Sequence, residues 1–329
     1  MQRVLIIYNP RSSRYSEVKN EVLEPIHSLK GYVIGKYEVK PTNLDDNIST
    51  LSKLLKNGDL IISAGGDATG VIVTNAILKS KKDVTLSVLP YGNFNDLART
   101  LGNKKTVGND LLRVFRSAAA RELVRSPHGD GRERRDPKKA IPTVNLYPLE
   151  IWIDGEFYRY ATCYVTIGMT AEAVHIYDEP KMRKALKTNF GRKITSYTEL
   201  ANWYFKHRHK KQFLPDFTLN GKKQHPKTSD YAAINGRSMA RVMKGGDDFI
   251  KPKVFRSETD RLTSLWRLIK LMLKSILIRV PGTTTTGDKL VFTNPATVTL
   301  QAEGEHIVLK DIKIIEIKKG KACLKVITN

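Results

Sequence analysis

Three short stretches near the start of the chain hold residue types suited to phosphate chemistry: Asn9-Pro10-Arg11-Ser12, Gly65-Gly66-Asp67-Ala68-Thr69 and Pro90-Tyr91-Gly92-Asn93-Phe94-Asn95-Asp96. Each directly follows an apolar run. Glycine lets a main chain come close to a phosphate, and free N–H groups at a helix start attract anions. Asp67 would set a carboxylate beside such a phosphate, where it could hold a metal ion or its water. A single turn of this kind reads first as an ordinary tight turn, with Asn95 or Asp96 capping a helix. Three in series favour an anion site. The P-loop pattern, the G-x-G-x-x-G fingerprint and the protein-kinase H-R-D and D-F-G pairs are absent, so a nucleotide would have to be held another way.

Strands and helices must position these turns. Val4–Tyr8, Leu60–Ala64 and Val84–Leu89 read as strands buried on both faces. Helices are predicted over Thr69–Leu78 and Phe94–Leu101, the latter stopped by Gly102. Strand-helix alternation at this spacing means βαβ units and a mostly parallel sheet, whose ligands bind beyond the carboxyl ends of the strands. Arg121–Pro142 reads as a surface loop or linker. Beyond it Asp154-Gly155 and Asn220-Gly221 mark hairpins. Helical segments are expected near Tyr197–Phe205 and Leu262–Val280. Four closing strands follow, at Thr297–Gln301, His306–Leu309, Ile312–Ile317 and Cys323–Ile327. The expected division is an α/β nucleotide-binding domain over 1–120, a linker over 121–142, a β-rich substrate domain over 143–310, and C-terminal strands over 311–329 that could return to the first domain.

The 329 residues carry 56 Lys and Arg against 33 Asp and Glu, a formal net charge of +23. Such a field attracts nucleic acid, an anionic membrane surface or nucleotides without choosing among them. The two cysteines, Cys163 and Cys323, form no metal-ligand spacing and suit a reducing cytosol. The opening apolar run is too short for a secretory signal, and no transmembrane helix is predicted.

The Gly65–Thr69 stretch resembles the G-G-D-G-T motif of the diacylglycerol kinase catalytic-domain superfamily, which includes sphingosine and ceramide kinases and bacterial lipid kinases. Pro90–Ala98 is similar to that family's P-x-G-T-x-N-D-[FL]-A segment, and Asn9-Pro10 with Ser12 and Ser13 to its N-P-x-S opening. Ala302-Glu303-Gly304-Glu305 resembles its late D-G-E motif, and Ile167-Gly168 falls where members have a glycine after a strand. The resemblance implies a phosphofructokinase-like N-domain, a β-rich C-terminal sandwich domain and ATP-dependent transfer to a lipid hydroxyl such as diacylglycerol. It implies that Asn9, Ser12, Thr42, Gly65, Gly66, Asp67, Thr69, Gly92 and Asn93 line the ATP, with Mg²⁺. Asp67 and Glu305 would be catalytic, Glu305 as the base toward the acceptor hydroxyl. Asp247, in Gly246-Asp247-Asp248-Phe249, would answer to a metal-binding D-G-[LF] stretch, against the plainer reading of an acidic turn. Asp67→Asn and Glu305→Gln are expected to abolish turnover and leave thermal unfolding nearly unchanged.

This sequence departs from the motif in three places. Ala68 replaces a glycine, which would be costly if the backbone there required positive φ. Asn93 replaces a threonine, and Val71-Ile72 replaces a polar pair. A catalytically degenerate relative, a soluble NAD kinase-like enzyme and a basic nucleic-acid-binding protein are the competing readings, although no nucleic-acid-binding motif is seen and no specific nucleic acid is expected. The apolar stripe of 262–280, with Trp266 and Ile269, could lie on a membrane or pack on its own domain. The expected setting is cytoplasmic and peripherally membrane-associated, with a lipid substrate at an anionic surface. His207–Lys211 reads as a solvated basic helix end.

Overall fold

The computed structural model describes residues 2–28, 31–103, 142–173, 198, 201–209, 214–223, 228–239, 243–260, 264, 266, 269–270, 285–287 and 289–328. Two compact units emerge: Met1–Leu146 together with Ala322–Asn329, and Tyr147–Lys321.

In the first unit, β1 (Gln2–Tyr8), β2 (Tyr32–Glu38), β3 (Leu60–Gly65), β4 (Thr85–Pro90), β5 (Thr143–Leu146) and the last strand, β18 (Leu324–Ile327), form one sheet. Its order is β2-β1-β3-β4-β18-β5, parallel except for β5. The helical stretch that begins with α1 (Tyr15–Val18) covers one face, burying Val18, Val22 and Ile26 against Val4, Ile6, Ile62 and Leu89. On the other face α2 (Leu44–Leu54) packs on α3 (Asp67–Ser80), which lies against β1, β3 and β18. With both faces covered, every residue of β3 is buried, which is why it reads as an unbroken apolar run. Each fully buried Leu or Ile contributes about 1.5–3 kcal/mol.

Sequence reasoning missed β2. Among the described residues it pairs with β1 alone, is half exposed, and interrupts its apolar residues with Gly35 and Lys36, so neither a buried run nor strict alternation shows. The 121–141 part of the linker reading lies outside the described residues.

The second unit is built on an antiparallel sheet. Its strands are β6 (Leu149–Ile153), β7 (Glu156–Ala161), β8 (Tyr164–Gly168), β9 (Phe217–Leu219), β10 (Lys222–Lys223), β11 (Asp230–Ile234), β14 (Phe255–Asp260), β15 (Thr285–Gly287), β16 (Lys289–Ala302) and β17 (Glu305–Lys319). A separate pair, β12 (Ser238–Met239) and β13 (Met243–Lys244), lies outside it. The main path runs β15-β14-β11-β8-β16-β17-β6-β7. Phe255 of β14 and Ile151 of β6 share one core, together with Tyr231, Phe292 and Leu300. Their strands are five spacings apart along that path, roughly 24 Å in a flat sheet. The sheet therefore folds over to enclose its core, as a sandwich does.

Both expected hairpin turns form, with positive φ at Asp154, Gly155, Asn220 and Gly221. The tail differs from expectation. His306–Leu309 and Ile312–Ile317 are one strand, β17, which continues through the turn-like Lys310-Asp311 because β16 stays paired with it across a bulge between Thr293 and Thr297. Residues 311–319 thus lie in the second unit, and Leu324–Ile327 alone pairs with the first. Helix is present over 201–207. The 262–280 stripe lies outside the described residues except for 264, 266, 269 and 270; Trp266 is exposed.

Candidate functional site

In the parallel sheet the chain leaves β1 toward β2 on one side and returns across it to β3 on the other. The crevice beyond the carboxyl ends of β1 and β3 is therefore a topological switch point, where open α/β sheets bind ligands. The turns after β1, β2, β3 and β4 all emerge on this edge. They bring Asn9 and Ser12, Thr42, Gly65–Thr69 and Gly92–Asn93 to it.

The last two of these turns touch through glycine. A Cβ on Gly92 would overlap the Cα of Gly66, and one on Gly66 would sit 3.2 Å from the Cα of Gly92. Neither has positive φ; close approach of two main chains is what demands glycine. Asp67 locks the contact. Its carboxylate accepts from the N–H groups of Asn95 (2.9 Å) and Asp96 (2.7 Å), at the start of α4 (Asp96–Thr100). Asn95, at φ 55°, closes its own turn by accepting from Gly92 N (2.6 Å) and donating to Gly92 O (2.7 Å). Burial pushes the Asp67 carboxyl above the usual carboxylate range, while the N–H groups of Asp96, Asn95 and Leu97 and the charge of Arg99 pull it back. The helix-cap alternative weighed for Asn95 and Asp96 thus falls to Asp67, a carboxylate supplied from a different turn.

Ser12 and Ser13 join the first turn to the third. Ser12 Oγ donates to Tyr91 O (2.6 Å), and Ser13 Oγ to Asn93 Oδ1 (3.0 Å). Asn9 Oδ1 accepts from Arg11 N (2.9 Å), fixing the bend. Two anchors were not singled out from sequence. Tyr91, fully buried, donates from its hydroxyl to Glu21 Oε2 (2.9 Å) and from its N–H to Gly65 O (3.1 Å). Asn47, buried in α2, holds the Thr42 loop: it accepts from Lys40 N and donates to Lys40 O, Asn43 O and Thr42 Oγ1. A polar pair five residues apart, Thr42 and Asn47, on either side of the N-cap Asn43 was its only sequence signal.

Thr69 Oγ1 is buried without a hydrogen-bond partner, next to the space a Gly65 side chain would fill. A cradle without Cβ atoms, a donor awaiting an acceptor and the uncapped first turn of α3 suit a nucleotide phosphate. Ala68 lies in that first turn and is exposed, with no positive φ, so its methyl carries no backbone penalty. Val71 and Ile72 are buried.

In the second unit, Glu303-Gly304 makes a tight turn with φ of 51° and 90°. Glu303 is buried and accepts from Thr162 Oγ1 and Cys163 N, so it anchors the turn to the one between β7 and β8. Glu305, the next carboxylate, is partly exposed and pairs with the buried Arg159. Gly168 needs its φ of 105°, and a Cβ there would sit 2.6 Å from Ser229 O. It leads into α5 (Met169–Ala173), whose Thr170 N–H donates to Asp230 (3.0 Å). Asp247 is exposed and paired with Arg237 (2.5 Å); Asp248 is buried. Arg208 and His209 are exposed at the helix end as expected, whereas His207 is buried, its Nδ1 2.9 Å from Trp203 O; Lys210 and Lys211 lie outside the described residues.

Residues 3–124 match the family model of the diacylglycerol kinase catalytic domain. The chain is 36% identical over 104 residues to a diacylglycerol kinase of Bacillus subtilis (strain 168), covering 31% of this chain and 34% of that protein. It is 32% identical over 113 residues to one of Staphylococcus aureus (strain bovine RF122 / ET3-1), covering 34% of each. The match thus spans about a third of the length of these curated relatives. In fold, a diacylglycerol kinase structure from Bacillus anthracis str. Sterne aligns with all of this chain and 97% of its own, at a TM-score of 0.59 and 13% identity. With the motif turns assembled on one sheet edge, residues 3–124 are similar to the diacylglycerol kinase catalytic domain.

Proposed function

We propose that the chain is an ATP-dependent lipid kinase that phosphorylates a lipid hydroxyl such as that of diacylglycerol. The observation that carries this reading is the Gly66–Gly92 contact locked by Asp67, which joins two glycine turns at the switch point of a domain matching that family. ATP, with a divalent ion to neutralise its phosphates, supplies the phosphoryl group. Ser12, Thr42, Thr69 and the N–H groups opening α3 hold it, and Asn9 and Asn93 shape the entrance. Asp67 keeps the cradle closed. Glu305, oriented by Arg159, takes the acceptor's proton. A net charge of +23 draws the protein to an anionic membrane surface where a lipid acceptor resides. No helix among the described residues is long and apolar enough to cross a membrane.

The deciding experiment is transfer of labelled γ-phosphate from ATP and Mg²⁺ into a total lipid extract, with Thr69→Val as control. That change removes a buried unpartnered hydroxyl, so folding is kept or improved. ATP affinity should fall about tenfold for one lost hydrogen bond to a charged group. A labelled lipid with this dependence supports the reading and names the acceptor. Absence of labelling across lipid classes, with ATP bound, would overturn it.

A further inference from the structure

The stretch Gly246-Asp247-Asp248-Phe249 resembles a metal-binding loop, yet its oxygen donors are already engaged. Lys319, at the end of β17, reaches into the loop and donates from Nζ to the main-chain oxygens of Asp248 and of Lys251 (2.6 Å). The Asp248 carboxylate faces Lys251 Nζ at 3.0 Å and Arg256 Nε at 3.8 Å. Asp247 is turned to Arg237. Three basic side chains thus meet the two carboxylates, and a fourth, Lys319, holds main-chain oxygens of the loop. The glycine serves the same packing: a Cβ on Gly246 would stand 3.0 Å from Arg256 Nη2 and 3.3 Å from Asp248 Oδ2. A hard divalent cation needs six or more oxygens free to turn toward it. Here it would have to displace an amine and approach three further cations.

We infer that an internal amine stands in for a metal ion in this chain: Lys319 closes the 245–251 loop, and the loop binds no divalent cation. The oxygens that would ligate a metal are cross-linked to the end of β17 instead. Either charge state of the amine carries the N–H groups that the two carbonyls require.

The test is thermal unfolding of the intact protein without nucleotide, in excess chelator and in millimolar Mg²⁺, for the wild type, Asp247→Asn, Asp248→Asn and Lys319→Met. The change in unfolding temperature on adding Mg²⁺ should be the same in the wild type and both aspartate variants. Lys319→Met should unfold about 4 °C lower than the wild type in either buffer, having lost two hydrogen bonds. A Mg²⁺-induced rise in the wild type that either aspartate variant loses would overturn the inference, as would a Lys319→Met protein as stable as the wild type. If Lys319→Met does not fold, the wild-type and aspartate comparison still decides the metal question.

Discussion

At the scale of single residues, Asp67 turns out to be structural before it is anything else. Its carboxylate accepts from two consecutive N–H groups at the start of α4, a partnership that asparagine can only half reproduce and without the charge. Asp67→Asn should therefore lower stability by about 1–2 kcal/mol, contrary to the near-neutral effect the sequence suggests. Denaturant unfolding will show it as a lower midpoint with unchanged slope; an unshifted midpoint would remove Asp67 from the capping role. Glu305→Gln carries a similar cost, because it replaces a carboxylate paired with the buried Arg159 by a neutral amide. Loss of turnover in either variant is thus read correctly only beside its unfolding curve. None of this was legible in the sequence, which shows a carboxylate in a glycine turn but not which main chain it faces 28 residues on.

At the scale of elements, two turns act as one object. Gly92→Ala should destabilise the first unit by roughly 2–4 kcal/mol, since the new methyl meets main chain that cannot swing aside. Ala68→Gly, in the neighbouring helix turn, should cost less than about 1 kcal/mol. Equal effects in calorimetry would dismiss the idea that backbone contact is what conserves space at Gly92. Here the sequence was informative. β1, β3 and β4 announced themselves as apolar runs, the hairpins as Asp-Gly and Asn-Gly, and the site turns by their glycines. What it concealed depends on partners remote in the chain: the edge strand β2, the continuity of β17 past Asp311, and the buried Asn47 and Tyr91 that brace the loops. Glu303 is the clearest case. It looks like half of an acidic pair with Glu305, but one carboxylate anchors a turn and the other is presented at the surface.

At the scale of the whole molecule, the first unit is discontinuous. Leu324 and Val326 are fully buried between β4 and β5, and among the described residues β5 pairs with no other strand. Removing residues 322–329 should strip β5 from the sheet and expose the Leu86 edge of β4. The truncated protein should lose ATP binding and become sensitive to proteolysis in the first unit; a truncation that binds ATP like the intact chain would show that β18 is dispensable. The same arrangement bears on synthesis. More than 230 residues separate the end of β4 at Pro90 from the start of β18 at Leu324. At about 5–20 residues per second, the ribosome needs roughly 10–50 s to cross that interval. Throughout it the nascent parallel sheet has an apolar edge waiting for a strand that does not yet exist. A chain built this way depends on whatever shields that edge, and its yield in a cell should respond to chaperone supply more than its final stability would suggest.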